Sequence, residues 1–463
     1  MPTVGGPFKY LLFAVAFYGV FTLAVRARIS PARTLLFGSL AFYGLWNFSY
    51  LPVLLISITL AFWFGLAIQR SSLGARKIYL WTSVSVSVGV LVFFKFPIGF
   101  STSKPAEILP IGISFYLFQC ISYVVDVYRG TLPACTVWAE FATCISYFPN
   151  LLAGPLIRVP QLLPQIRNLE LPGRADMEHA MFMIALGCFK KALADSLGLL
   201  ADLGFDHSSN QSTLDAWAGA LAFYGQLYAD FSGYTDMAIG VSASLGIALP
   251  ENFRMPFLAN SPEDFWSRRW HLTLSRWVRD YVFLPLALSM RRGMRGSAYF
   301  AITVSMLVMA LWHGVTWAFL VFGVYHSLLL ISGHFLFGAL PKLEQGWLGK
   351  CLRVPRVVLT FYLMVLGYVL FRAPSLKTAG EFIQRMHHFS AGAGVTDNVG
   401  FFRVIALLLA TYGVSYWACA PRFAGRLSRS PLGACAALVF ATYLLYVSGL
   451  SGGGGRPFIY FEY

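Results

Sequence analysis

Apolar residues run along this chain in long blocks, separated by short polar and basic connectors. A helix that crosses a bilayer needs about 20 mostly apolar residues, within a range of roughly 17–25. On that measure the pattern predicts membrane segments at Tyr10–Val25, Thr34–Phe48, Leu51–Ile68, Ile78–Phe94, Leu109–Val127, Ala180–Leu200 and Leu214–Ala229. Further segments are expected at Tyr234–Leu249, Ala298–Leu311, Trp317–Phe337, Val357–Phe371, Phe402–Ala418 and Leu432–Leu450. The shorter or more polar of these suit re-entrant segments, so the expected count is roughly ten to thirteen. Two stretches depart from the pattern. Gly154–Asp176 is rich in Pro and Arg, and Asp264–Arg292 mixes Trp266, Trp270 and Trp277 with Arg268, Arg269, Arg276 and Arg279. Such mixtures of Trp and Arg suit amphipathic helices lying in the interface plane. The fold class read from the pattern is all-α, a polytopic integral membrane protein.

Composition agrees with the pattern. The 463 residues are 57% hydrophobic, 16% aromatic and only 12% charged, with mean hydropathy +0.64. A soluble domain carries roughly a quarter charged residues, so this chain lacks the polar surface to be solvated by water all round. No polar linker divides it. Residues 1–450 read as one membrane domain, and residues 451–463 as a glycine-linked aromatic tail. The run from Leu11 to Val25 passes into Arg26 and Arg28 without a small-residue cleavage site, so it reads as a first span rather than a removable signal.

The formal charge of +15 changes the picture only in detail. Lys and Arg do not gather on one module, which excludes a nucleic-acid footprint. They cluster between apolar runs, as cytoplasmic loops beside anionic lipid do. Arg26, Arg28 and Arg33 follow the first span, and Arg70, Arg76 and Lys77 the third. Both clusters read as cytoplasmic, leaving the N-terminus outside. The clusters Arg291–Arg292–Arg295, Lys350–Arg353–Arg356 and Arg422–Arg426–Arg429 read the same way. The last precedes the final span, so the tail is expected outside. The seven cysteines, Cys120, Cys135, Cys144, Cys188, Cys351, Cys419 and Cys435, are odd in number and none has CxxC spacing. They suggest neither a disulfide framework nor a metal site.

Ionisable residues at membrane depth are costly, which makes each a functional candidate. Asp126, Asp230, Asp236, His271, His313, His326 and His334 lie in or beside apolar runs. For most of them the plainer reading is a hydrogen bond between packed helices. His313 stands apart. It sits in Met309-Ala-Leu-Trp-His-Gly-Val-Thr-Trp317, inside an apolar stretch long enough for two helices, and Gly314 is a natural place for the chain to break. An imidazole with ordinary pKa near 6.5 suits general-base work on a hydroxyl. From spacing alone, a histidine bonded to a neighbouring helix fits equally well.

Trp312-His313-Gly314 in an apolar run resembles the catalytic-histidine signature of the membrane-bound O-acyltransferase superfamily. The likeness extends over most of the chain. It is carried by Leu109-Pro-Ile-Gly-Ile-Ser-Phe-Tyr116, Tyr147-Phe-Pro-Asn-Leu-Leu-Ala-Gly-Pro155 and Tyr228-Ala-Asp-Phe-Ser-Gly-Tyr-Thr-Asp-Met-Ala-Ile-Gly240. A fourth block, Asn252-Phe-Arg-Met-Pro-Phe257, runs into Asp264-Phe-Trp-Ser-Arg-Arg-Trp-His271. The blocks in this order are similar to the bacterial alginate O-acetyltransferase branch and its cousin, the D-alanyl transferase of teichoic acid synthesis. The resemblance implies a ring of helices around a central tunnel, with His313 as the catalytic histidine and His271 as the second characteristic one. It implies a cytoplasmic thioester donor, acetyl-CoA or an acylated carrier protein, and an extracytoplasmic polysaccharide acceptor, at the bacterial cytoplasmic (inner) membrane. A periplasmic acetyltransferase- or esterase-like partner belongs with that reading. No bound cofactor or metal is expected.

Arg158, Arg268, Arg269, Arg276 and Arg279 are candidate phosphate partners for coenzyme A, because guanidinium forks bind phosphate bidentately. Anchoring at the membrane interface explains each of them as well. Asp230, Ser232, Tyr234, Asp236 and Trp312 are candidates to line the tunnel or orient the histidines. In the tail, Ser451-Gly-Gly-Gly-Gly455 reads as a tether for Phe458-Ile-Tyr-Phe-Glu-Tyr463. Similar aromatic tails occur in this branch, which makes Tyr460 a candidate acyl relay; an anchor at the membrane interface is the alternative. A transporter would show paired broken helices in two repeat halves, and no such repeat is visible.

Overall fold

The computed structural model of the chain describes residues 7–100, 110–152, 154–206, 212–290, 296–338, 347–388, 398–419, 431–447, 456 and 458–459. No strand occurs among them; the elements are helices. In chain order these are α1 (Pro7–Arg26), α2 (Pro31–Asn47), α3 (Leu51–Arg70), α4 (Leu73–Phe100), α5 (Ile113–Arg129) and α6 (Trp138–Ser146). They continue with α7 (Phe148–Leu151), α8 (Val159–Arg167), α9 (Arg174–Asp206), α10 (Thr213–Ser244), α11 (Pro262–Arg268), α12 (Leu272–Val278) and α13 (Leu284–Ser289). The remainder are α14 (Ser297–His313), α15 (Trp317–Gly338), α16 (Trp347–Arg372), α17 (Leu376–His387), α18 (Asn398–Cys419) and α19 (Pro431–Val447).

Among the described residues, six apolar stretches are long enough to cross a membrane: Lys9–Arg26, Pro31–Arg70, Leu73–Lys95, Trp317–Phe335, Cys351–Arg372 and Gly400–Ala418. Pro31–Arg70 holds both α2 and α3, and Ser297–His313 and Gly433–Tyr446 are shorter apolar helices. Hydroxyl groups on these helices bond to the carbonyl four residues back, as Ser57 does to Val53 at 2.8 Å and Thr59 to Leu55 at 2.8 Å. That is how a hydroxyl is tolerated where no water can reach it. The expected segments Leu109–Val127, Ala180–Leu200, Leu214–Ala229 and Tyr234–Leu249 fall on α5, α9 and α10, which are more buried. Fourteen residues of α5 are buried, among them Gln119, Ser122 and Asp126. Leu214–Ala229 and Tyr234–Leu249, expected as two spans, form the single 32-residue α10, which Gly233 does not interrupt. Glycine inside a helix costs only about 1 kcal/mol, less than the packing of this largely buried helix returns.

The chain divides into two compact units, with one boundary inside α9 and another inside α10. One unit comprises Met1–Cys188, Tyr234–Pro250 and Arg456–Tyr463. Its centre is aromatic: the Phe148 ring is ringed by Phe13, Phe17 and Phe42 at 5.3, 5.5 and 5.3 Å. The other comprises Phe189–Gly233 and Glu251–Gly455. Here α9 and α10 cross at Gly204 and Gly219, where a Cβ on Gly204 would stand 2.4 Å from the Gly219 Cα. Small residues allow backbones to approach this closely. In the same unit α12, a π-helical turn (Arg279–Phe283) and α13 follow one another without a break. Pro285 explains the wide turn. It has no N–H for the Tyr281 carbonyl, and the ladder closes instead from the Leu284 N–H to the Arg279 carbonyl.

Candidate active site

The Asp264–Arg292 stretch, expected in the interface plane, does more than lie at a surface. From Leu272 to Ser289 it forms one arm of a helical hairpin whose other arm is α14. At 1.5 Å per residue the arms are each about 26 Å long, so the residue that starts the first arm meets the residues that end the second. Those residues are His271, Trp312 and His313. The Trp312 ring lies 5.9 Å from that of His271 and 4.5 Å from that of His313. Histidines 42 positions apart in the sequence are thereby brought to one indole.

His271 is 2% exposed and precedes α12 in the left-handed region, at φ 44°, ψ 52°. A non-glycine residue held there carries about 1–3 kcal/mol of strain, so its surroundings must hold it. They do so chiefly through Asn252. The Leu272 N–H donates to the Asn252 carbonyl at 2.9 Å, and the Arg254 N–H to the Arg269 carbonyl at 2.9 Å, tying residues 252–254 along 269–272. The Asn252 Oδ1 accepts from the Thr273 N–H at 3.2 Å and from the Thr273 hydroxyl at 2.9 Å, and lies 3.2 Å from His271 Nδ1. A backbone N–H can only donate, so the amide atom facing it is the oxygen. Nδ1 of His271 is then the protonated nitrogen, and Nε2 carries the basic lone pair. Phe231 presents its ring to the imidazole at 4.7 Å and 86°. His271 lies outside the apolar spans, and burial pulls its imidazolium down to about 3, which keeps the ring neutral.

His313 is set differently. It is the last residue of α14, 9% exposed, with Phe371 at 4.9 Å edge-on and Phe319 at 6.2 Å nearly parallel. The break expected at Gly314 is present, with extended backbone before α15 begins at Trp317. Glycine is needed for space: a Cβ at 314 would stand 2.6 Å from Cε2 of Phe319. Phe371 is followed by Arg372, whose guanidinium bonds Asp202 at 3.0 Å.

Asp230 takes its place through an ion cluster that the apolar reading of Ala180–Leu200 overlooked. The Lys191 ammonium lies 2.7 Å from Asp195 and 2.6 Å from Asp230, with all three side chains at most 4% exposed. The Tyr446 hydroxyl donates to Asp195 at 3.1 Å. Ser232 is buried, and its hydroxyl has no partner among the described residues. Tyr234 and Asp236 fall in the first unit. There the Tyr234 ring lies 5.5 Å from Tyr10 and 4.6 Å from Phe458, and both tyrosine hydroxyls reach the Pro149 carbonyl, at 3.4 and 3.5 Å. Phe458 and Ile459 are buried, at 1% and 3% exposure. Tyr460 and the glycine run lie outside the described residues.

The basic candidates divide. Arg269 is bonded to Asp264 at 2.7 Å and to the carbonyls of Arg254 and Met255, so its fork serves the turn itself. Arg279 pairs with Asp280 at 2.7 Å, and Arg268, Arg276 and Arg279 are exposed. Arg158 heads α8 in the first unit. His326 accepts from the Trp266 indole at 3.3 Å, the plainer role foreseen for most buried histidines. Among the described residues no three His, Cys, Asp or Glu side chains are grouped to hold a metal ion. The sequence reading missed Asn252, Thr273 and Lys191. Lys191 had a signal, an ionisable residue inside a predicted span, whereas the pairing of Asn252 with His271 is tertiary.

Sequence comparisons bear on what this arrangement does. The profile described as MBOAT, membrane-bound O-acyltransferase family, matches residues 138–371, which include both histidine turns. A probable alginate O-acetylase of Azotobacter vinelandii is 35% identical over 434 residues, covering 88% of this chain and 81% of that protein. A peptidoglycan O-acetyltransferase of Helicobacter pylori is 30% identical over 419 residues, covering 82% and 78%. A teichoic acid D-alanyltransferase of Streptococcus thermophilus is 31% identical over 235 residues, covering 48% and 56%.

Proposed function

The chain belongs to the membrane-bound O-acyltransferase family and is an integral membrane O-acyltransferase, and from that premise we propose that it moves acetyl groups from a cytoplasmic thioester to hydroxyls of an extracytoplasmic polysaccharide. The observation that carries the reading is the meeting of His271 and His313 at Trp312. In this proposal His313 accepts the proton of a sugar hydroxyl as its oxygen attacks the thioester carbonyl. The tetrahedral intermediate then expels the thiolate, which takes the proton, leaving free thiol and acetyl ester. His271, neutral with a basic Nε2, assists on the donor side. Acetyl-CoA is the donor we favour, with the exposed Arg268, Arg276 and Arg279 offered to its phosphates. The long matches to O-acetyltransferases favour acetyl, and a glycan such as alginate or cellulose, over D-alanyl transfer, whose relative aligns over about half of this chain. The bacterial inner membrane, with a periplasmic acetyltransferase- or esterase-like partner, completes the proposal.

The C-terminal tail enters as a relay. In this form of the proposal the Tyr460 phenol, in place of the sugar hydroxyl, attacks the thioester, its proton leaving with the expelled thiolate as free thiol, and the tyrosyl ester then yields the acyl group to a glycan hydroxyl. Phe458 and Ile459, two residues before and one before the relay position, are buried in the first unit. The test is purified protein in liposomes with labelled acetyl-CoA and acceptor glycan. We expect thiol release and labelled glycan, and Tyr460→Phe is expected to abolish the second while sparing donor binding. Labelled glycan at the wild-type rate from that variant makes the tail an anchor. No turnover of acetyl-CoA, with turnover of an acylated carrier protein, replaces the donor.

A further inference from the structure

The sequence motifs single out two histidines; the structure adds the residue that bears on what one of them can do. Asn252 is 1% exposed, and its carbonyl oxygen is the point where the His271 ring, the Thr273 backbone and the Thr273 hydroxyl converge. Its own carbonyl holds the Leu272 N–H, the first peptide after the strained histidine. The other end of the amide, Nδ2, has no partner among the described residues, so the orientation is set from the oxygen side. Rotating the amide would point NH2 at the Thr273 N–H, donor against donor. The same oxygen therefore selects the tautomer of His271, aims its Nε2 and braces its left-handed backbone.

We propose that Asn252 is a positioning residue for acyl transfer, which holds His271 as the Nδ1–H tautomer so that Nε2 is the proton acceptor facing the reaction. The proposal rests on the reading of His271 as part of the acyl-transfer machinery. A neutral amide in this position orients the imidazole without adding charge, so the ring stays deprotonated and basic when buried. A carboxylate would orient it equally well and stabilise the imidazolium. The choice of Asn over Asp thus sets the pH range in which the base is available. Neighbouring charges are matched by counter-ions. Asp230, beside Phe231 on α10, is paired with Lys191; on the histidine's own turn Arg254 is paired with Glu251 and Arg269 with Asp264. His313, beyond Trp312 on α14, is the other imidazole at this end of the hairpin.

The experiment compares Asn252→Asp and Asn252→Ala with wild type, following thiol release from acetyl-CoA against pH. In Asn252→Asp the imidazolium is favoured, so the base is lost at a higher pH. The acid limb of kcat that belongs to His271 is expected to move up from its low starting point by about one unit or more, with activity near wild type recovered above the moved limb. Asn252→Ala is expected to lose about tenfold or more in kcat at every pH, with donor KM within about twofold, a split that general damage to the fold does not produce. Coincident pH profiles for Asn252→Asp and wild type, or wild-type kcat in Asn252→Ala, would overturn the inference. If neither variant folds, nitrogen NMR of the wild-type protein with labelled histidines decides. The signal lost in His271→Gln should be that of an Nδ1–H tautomer, and an Nε2–H tautomer refutes the assignment. Full turnover by His271→Gln is a separate outcome: it defeats the role given to His271 itself, and with it the inference.

Discussion

His271 and His313 close the same end of one helical hairpin, yet the first is held by hydrogen bonds in a strained backbone and the second by rings in a relaxed one. At His271 three donors share one amide oxygen, and the residue sits at positive φ. At His313 the neighbours are Trp312, Phe319 and Phe371, and the chain after it is extended. Hydrogen bonds to a ring nitrogen select tautomer and basicity; ring contacts fix position and exclude water. The first turn is built to tune an imidazole, and the second to present one. That difference matches a reaction needing one imidazole to move a proton and another to set the stage for it.

The comparison breaks most visibly at the presented imidazole. His313→Ala is expected to lower acyl transfer by about 10²–10⁴-fold, the range of a general base. Because the residue ends its helix and extended backbone follows it, expression and thermal stability should change little. Glycan acetylation near the wild-type rate in a normally inserted His313→Ala protein would remove the residue from the mechanism.

The tuned turn has a charged foundation, so stability should fall behind it rather than behind His313. Lys191 holds Asp195 and Asp230 together, and Asp230 precedes the Phe231 that packs on His271. Lys191→Met leaves two buried carboxylates without their cation. Breaking a buried pair from one side costs roughly 3–5 kcal/mol, which should appear as a marked drop in thermal midpoint. Adding Asp230→Asn should return part of it, since one of the stranded charges is then gone. An unchanged midpoint in Lys191→Met would show that the cluster is not a foundation.

Much of this was legible beforehand, and the failures have physical causes. Long apolar helices such as α1, α3 and α15 were readable because their lipid-facing sides must be apolar and nothing else competes. Helices α9 and α10 were harder, since buried faces tolerate Lys, Asp and Ser if partners exist, and partners are invisible in one dimension. The same limit hid Lys191 and made α10 look like two spans. His313 and Gly314 could be singled out because a histidine and a break inside an apolar run are local signals. Asn252 could not, because its meaning depends on His271, 19 residues onward and across a turn.

A subtler change probes the packing of the presented histidine. Gly314→Ala adds a methyl that meets the Phe319 ring at 2.6 and 2.8 Å. Phe319 also packs on Phe371 at 5.0 Å, so the ring cannot yield without moving a second wall of the His313 site. Overpacking of this kind costs about 1–3 kcal/mol. The expected result is a several-fold to tenfold fall in kcat with the acid limb of the pH profile unmoved, since the hydrogen bonds that hold the His271 turn are untouched. A moved limb would mean that the two turns are not independent.

The smallest expected effect lies in the tuned turn and tests how its hydrogen bonds are shared. Thr273→Val removes the hydroxyl that reaches Asn252 Oδ1 at 2.9 Å but keeps the β-branched shape and the backbone N–H at 3.2 Å. One intramolecular hydrogen bond contributes about 0.5–1.5 kcal/mol. The amide oxygen still faces a donor that can only donate, so its orientation, and the tautomer it imposes, should survive. Stability should therefore fall by about 1 kcal/mol, with kcat reduced no more than about threefold, as that energy acts on the fold rather than on the proton acceptor. A loss as large as that of Asn252→Ala would move the weight of the turn from the backbone N–H to the hydroxyl. The imidazole of His271 would then be aimed by a side chain that can rotate, and the rigid half of the comparison would be His313.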